Sequence, residues 1–244
     1  LAIELAAARI RSMSLDEVER RLSNRFSLLT GGDRSAPERH RTLLAVIEWS
    51  WNLLDSDEQR ALAVLSEFAD GFSAEAARAV VRCAAGAVSI EAGATAQIDT
   101  TDDTVDDALD SLVAQSLVSV SELPASSGGG LRFRMLETVR EFGRLQLERR
   151  AESAAARDAL FAWADATGRA LQPQLTGPRQ VAVFALVGLE EDNLIDLLRR
   201  AIAAERPDIV SGVFPLLANH WILRSTPTEV VAFALPVLES VRRY

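Results

Sequence analysis

The chain has 244 residues, a formal net charge of −9, one Cys and two His. That length supports one large or two small domains with a sizeable core, and the net acidity argues against broad contact with nucleic acid. The lone Cys83 excludes an intrachain disulfide framework and fits a reducing cytoplasm, and so few sulfur and imidazole ligands, none clustered, exclude a structural zinc site.

Helical periodicity dominates the pattern in chain order, so the expected class is mainly α. Leu1–Arg11 is Ala-rich and helix-favouring. It starts inside a helical pattern with no initiator Met, and the chain is read as a piece of a longer protein. Ser14 and Glu17 form a capping box opening a helix with Leu15, Val18 and Leu22 on one face. Gly31, Gly32 and Pro37 mark a linker, in which His40 reads as solvated. The next helix carries Leu43, Ile47, Trp51 and Leu54. Trp49 and Trp51 are two residues apart, so one should anchor the core and the other should face a neighbour or a partner. Ser56 with Gln59 reads as a second capping box, and Gly71 as a left-handed cap. Ser73 caps a short helix through Val81.

Residues 83–103 are aperiodic and read as a mobile loop. Thr104 with Asp107 opens a helix carrying Val105, Leu109, Leu112 and Val113. LVSVS and LRFRM then read as two strands of a hairpin whose tip is residues 126–130; the second is edge-like and charged on its outer face. A helix with Val139, Phe142 and Leu145 follows. Beyond Arg150 the pattern becomes helical hairpins, broken at Gly177-Pro178 and punctuated by Pro207 and Pro227, with Pro215 and Pro236 inside apolar stretches. Paired helices of this kind predict a solenoid of tetratricopeptide type.

Chemistry-bearing patterns are sparse. All 26 basic residues are Arg, so no GxxxxGK[ST] phosphate loop is present. No catalytic constellation is identifiable, and no enzyme activity is expected of this chain. Glu190-Glu191-Asp192 reads as acids just ahead of a helix, and His220, beside Trp221, as a core or rim residue. No apolar run is long enough to cross a bilayer, so no membrane contact is expected and the predicted setting is cytoplasmic.

Four blocks, in order, resemble the STAND-class signalling ATPases of bacteria, regulators that couple an NB-ARC ATPase module to transcription. LAIELAAARIR resembles a stretch near the end of that module. RHRTLLAVIEWSWNLL resembles the opening helix of the family's winged-helix domain. LDSLVAQSLVSV with RFRMLETVREFG resembles its last helix, wing and switch joint, and LEEDNLIDLLRRAI resembles the first helix of the sensor array. The joint of this family carries a Met-His-Asp triplet whose His meets the β-phosphate of ADP. Here Met135, Leu136 and Glu137 stand in those places. Leu136 cannot donate a hydrogen bond to phosphate.

The resemblance implies three parts: residues 1–36 ending the ATPase module, residues 37–150 forming a winged helix with a small two-stranded β wing, and residues 151–244 starting a tetratricopeptide-like sensor. It implies that Arg134, Leu136 and Glu137 lie near nucleotide in the full-length protein alone. No cofactor is expected in this chain, and ATP or ADP is expected upstream. The implied partners are the protein's own ATPase module and an unidentified ligand or protein at the helical repeats. Two alternatives are a DNA-binding winged-helix transcription factor and a passive helical scaffold. Against DNA contact, the helix ahead of the wing carries Asp106, Asp107 and Asp110, and no basic residue occurs between Arg82 and Arg132. The plain reading of Glu137 and Arg140 is an exposed i, i+3 ion pair.

Overall fold

The computed structural model describes residues 38–86, 102–124 and 129–242. The expected helices at Leu1–Arg11 and after Ser14, the glycine linker, most of the 83–103 loop and most of the hairpin tip lie outside the described residues. Helix α1 spans Glu38–Asn52, α2 Ser56–Leu65, α3 Ala74–Ala84 and α4 Asp102–Ala114. Strands β1 (Phe72–Ser73), β2 (Val118–Glu122) and β3 (Leu131–Met135) form the sheet, and α5 spans Glu137–Arg150. Helices α6 (Ser153–Leu171), α7 (Gln180–Ala203), α8 (Pro207–Leu223) and α9 (Pro227–Arg242) complete the chain, with a short 3-10 turn at Gln172–Thr176. The protein is mainly helical with a small β wing, as the periodicity predicts.

The sheet has three antiparallel strands in the order β1-β3-β2, so β3 is central and not an edge. Phe72 pairs with Phe133, and Val118 pairs with Met135. The third strand escapes sequence reading because it is two residues long. It forms because Gly71 lets the chain come close. A Cβ there would stand 2.7 Å from the Phe133 carbonyl oxygen. Gly71 therefore serves backbone approach and is not a left-handed helix cap; α2 stops earlier, with Ser66 at its C-cap.

Local signals are right in kind and sometimes off by a residue. The N-cap of α2 is Asp55, not Ser56. Its carboxylate accepts from the Asp57 and Glu58 amides, and Glu58 reaches back to the Asp55 amide at 2.8 Å. Gln59 instead donates to the Trp51 and Leu54 carbonyls, tying α2 to the end of α1. Ser73 caps α3 as expected, with the Ala76 amide 3.1 Å away. Helix α4 begins at Asp102, ahead of the expected Thr104 cap, and α1 begins at Glu38, which puts His40 in a helix and not in a linker. Pro207 and Pro227 open α8 and α9, where a missing amide hydrogen costs nothing, and Pro215 and Pro236 lie inside them.

One difference changes the electrostatic argument. The stretches around Val181 and Leu194 are a single helix, α7, so Glu190-Glu191-Asp192 lies mid-helix and not at an N-terminus. The macrodipole has little to offer there, and these carboxylates need other partners.

An aromatic row joins sheet and helices. The Phe133 ring packs 6.0 Å from Phe72, Phe72 packs 5.1 Å from Phe68, and Phe68 meets Trp163 of α6 edge-on at 5.2 Å. Trp51 packs edge-on against Phe142 of α5. Helices α6 and α8 cross at Gly168 and Gly212, where a Cβ on Gly168 would collide with the Gly212 carbonyl oxygen. Their backbones touch because neither residue has a side chain.

Candidate functional site

The strand-to-helix joint is built by the pleat of β3 and the first turn of α5. Alternation should place Arg132 and Arg134 on one face of the strand. The structure treats them differently. Arg134 is 63% exposed, and Arg132 is 3% exposed. Helix α7 covers Arg132 and stops short of Arg134.

Leu136 is the N-cap of α5, with extended backbone and no side-chain cap. It is 66% exposed, so it does not pack into a described interface. Glu137 pairs with Arg140 at 2.9 Å, the expected i, i+3 geometry. The pair is more than a surface ornament, because Arg140 is largely buried and donates to the Phe68 carbonyl at 3.1 Å and to the Ala69 carbonyl. Arg134 reaches the Asp70 carboxylate at 3.5 Å. Arg134 and Glu137 therefore do not meet each other. Both are tied, directly or through Arg140, to the turn at residues 68–70.

Behind that turn lies a polar seam that the sequence did not reveal. The Arg132 guanidinium forms a close ion pair with Glu190, donates to the Leu189 carbonyl at 2.6 Å and lies 3.8 Å from Asp70. Asn193, itself buried, donates to the Gly71 carbonyl at 2.9 Å and to Glu190 at 2.8 Å, and accepts from the Asp70 amide at 2.8 Å. Two turns further along α7, Arg200 bonds Glu67 at 2.6 Å. Arg144 of α5 approaches the same Glu67 at 3.9 Å. Burial pulls the Arg144 guanidinium below its ordinary value, and Glu67 opposes that pull. The local hint was polar residues recurring at 190, 193, 196 and 200 of α7, close to helical spacing.

The helix ahead of the wing, α4, has a polar outer face of the wrong sign for DNA. Asp106 is held by a two-pronged bond from Arg78, at 2.9 and 2.7 Å. Asp107 and Asp110 are exposed. Exposed carboxylates facing phosphate repel it, and α4 carries no Arg or Lys to make a two-pronged bond with guanine.

No protein-family model matches the chain, and no solved structure matches it. It is similar to a Mycobacterium tuberculosis protein named "Putative HTH-type transcriptional regulator Rv0890c", with 42% identity over 142 residues, which cover 58% of this chain and 14% of that protein. A Mycobacterium bovis protein with the corresponding name, Mb0914c, matches to the same extent. An uncharacterised M. tuberculosis protein, Rv0894, is 42% identical over 80 residues, 33% of this chain and 20% of its own length. The match thus covers only a small part of the length of these relatives. Among the described residues, no helix is long and apolar enough to cross a membrane.

Proposed function

We propose that this chain is a regulatory part of a transcription regulator of the STAND class. The names of its relatives support the transcriptional role. In this reading the winged helix is an intramolecular packing module. It holds an upstream ATPase module closed until the helical array binds its ligand or partner protein. Residues 37–150 act as the module and residues 151–244 as the start of the sensor. ATP or ADP binds upstream, near Arg134, Leu136 and Glu137, and this chain alone performs no catalysis.

The observation that carries the reading is the seam. Glu190 and Asn193 of α7 grip β3 and the turn ahead of β1, and β3 runs directly into the joint. A displacement of the array is transmitted to the joint without an intervening loop.

The test is ADP dissociation from the full-length protein. Arg134→Ala should speed release about tenfold, the loss of roughly one charged hydrogen bond, whereas Leu136→His should change it little. An unchanged rate for Arg134→Ala together with a many-fold slower rate for Leu136→His would refute the role given to Arg134.

The relatives' names favour one competing reading, direct DNA contact. The acidic face of α4 opposes it. Titration of this chain with duplex DNA at low salt should show no binding. A dissociation constant below about 10 µM that weakens steeply with salt would establish DNA contact instead.

A further inference from the structure

Arg134 is the group at the joint that fits a phosphate. Its guanidinium is largely exposed and can make charge-assisted bonds, whereas Leu136 has no donor. In the structure this guanidinium already faces an anion. The Asp70 carboxylate lies 3.5 Å away.

The turn that carries Asp70 is held at successive backbone groups. The Phe68 and Ala69 carbonyls accept from Arg140, the Asp70 amide donates to Asn193 at 2.8 Å, and the Gly71 carbonyl accepts from Asn193 at 2.9 Å. The carboxylate is therefore an anion held in place at the protein surface. Two arginines of β3 flank it, and they differ in freedom. Arg132, at 3.8 Å, is buried and committed to Glu190 and to the Leu189 carbonyl. Arg134 has no other ion pair among the described residues, so its long side chain can leave Asp70.

We propose that Asp70 is a built-in competitor for the anion that Arg134 binds: without nucleotide the carboxylate occupies the guanidinium, and a phosphate binds at the joint by displacing it. The role of Asp70 rests on the assignment of Arg134 to nucleotide proposed above and adds how that contact is regulated. A ligand that must first break a pair is weakened by the fraction of molecules in which the arginine is free. Because Arg134 is mostly exposed, the pair is a weak one. It should lower affinity by roughly two- to fivefold, less than the roughly tenfold that the arginine contributes. The internal carboxylate also sets a threshold. A monoanion such as chloride or acetate offers Arg134 no more than Asp70 already does, whereas a phosphate group brings more charge and more acceptor oxygens. The joint thereby favours phosphates over monoanions.

The test is a mutant cycle read as the ADP dissociation constant of the full-length protein: unsubstituted, Asp70→Asn, Arg134→Ala and both together. Asp70→Asn keeps the shape of the side chain and the backbone bond to Asn193, so the fold should be retained. Asp70→Ser is a second variant that lacks the carboxylate. Either should tighten ADP binding roughly two- to fivefold when Arg134 is present, and change it little in the Arg134→Ala background. Equal tightening in both backgrounds means general repulsion of phosphate by Asp70 and overturns the competition. No tightening, while Arg134→Ala still weakens binding about tenfold, overturns the role of Asp70 and leaves the reading of Arg134 standing. An Arg134→Ala protein that binds ADP as the unsubstituted one does refutes the reading of Arg134, and the competitor falls with it.

Discussion

Removing Arg132 tests the seam at its centre. In Arg132→Ala, α7 loses the 2.6 Å bond to the Leu189 carbonyl and the close pair with Glu190. Deleting one partner of a buried ion pair costs about 3–5 kcal/mol, because the other charge is left uncompensated. Two features place this case at the lower end. Glu190 keeps its 2.8 Å bond from Asn193, and Asp70 is partly exposed and keeps Arg134 at 3.5 Å. The expected loss is therefore about 3 kcal/mol, which for a chain of this length lowers Tm by roughly 6–12 °C. Arg132→Lys should cost less, about 1–2 kcal/mol, since an ammonium can meet the carbonyl or the carboxylate but does not fork to both.

The double variant Arg132→Met/Glu190→Leu separates charge from packing. Apolar side chains of similar volume remove the desolvation cost together with the attraction, so its stability should return to within about 1 kcal/mol of the original. Urea unfolding followed by circular dichroism, with calorimetry as a second probe, measures all four proteins. If Arg132→Ala loses less than about 0.5 kcal/mol, or the double variant is no more stable than Arg132→Ala, the seam is not a buried ion pair in solution.

Gly168→Ala should destabilise the array by about 3 kcal/mol, the upper end for overpacking, because the new methyl meets the Gly212 backbone and not a flexible side chain; calorimetry reads the drop in Tm. Gly143→Ala should also destabilise, by about 2 kcal/mol, since the obstacle 2.6 Å away is the Cβ of the fully buried Ser66. His220 supplies a pH dependence. Both its ring nitrogens are buried without a hydrogen-bond partner. Burial lowers its affinity for a proton, Glu191 at 3.9 Å raises it, and Arg224 lowers it. The unfolded chain therefore takes up this proton first, and stability should fall as pH drops from about 6.5 toward the lower folded value. His220→Gln should flatten the difference in unfolding midpoint between pH 7.5 and 5.5; an unchanged slope would mean that other groups cause it.

What the sequence disclosed was what its own neighbours decide. The period of α1 put one tryptophan in the core and turned the other toward a neighbour or a partner; the structure buries Trp51 and exposes Trp49. Ser73 announced α3 because a cap acts over three residues. The cap of α2 was misread by one position because Asp55-Ser56 offers two acceptors in succession, and only the backbone decides between them. Arg132 was out of reach for a different reason. Its burial depends on Glu190, 58 residues later, and nothing in RFRM says which arginine a distant helix will cover. The long helix α7 was read in two pieces because three consecutive acids interrupt its apolar period. Glu190 is met by Arg132, and Glu191 by Trp221 and Arg224, all from other elements. At the joint, the residue types were legible and their environment was not: nothing in the sequence says that Leu136, an apolar side chain, stands open to solvent.

The chemistry of the seam also limits how the array can move. Apolar contacts such as Phe68 against Trp163 tolerate sliding, since one hydrocarbon neighbour replaces another at little cost. The Arg132 pair does not. If α7 slid along β3 by one helical turn, Glu190 would be replaced opposite Arg132 by Leu186 or Val187 in one direction, and by Asn193 or Leu194 in the other. Three of those four leave a buried guanidinium against hydrocarbon, and the fourth offers an amide already committed to Gly71 and Asp70. Each alternative costs several kcal/mol, more than sliding could recover elsewhere. The low-cost motions are therefore those that keep Arg132 and Glu190 together. The sheet and the first turn of α5 then travel with α7 as one body, and the hinge must lie outside the seam. In the proposed switch, motion of the far helices would therefore reach Leu136 by rotation of that body, not by a change of register within it.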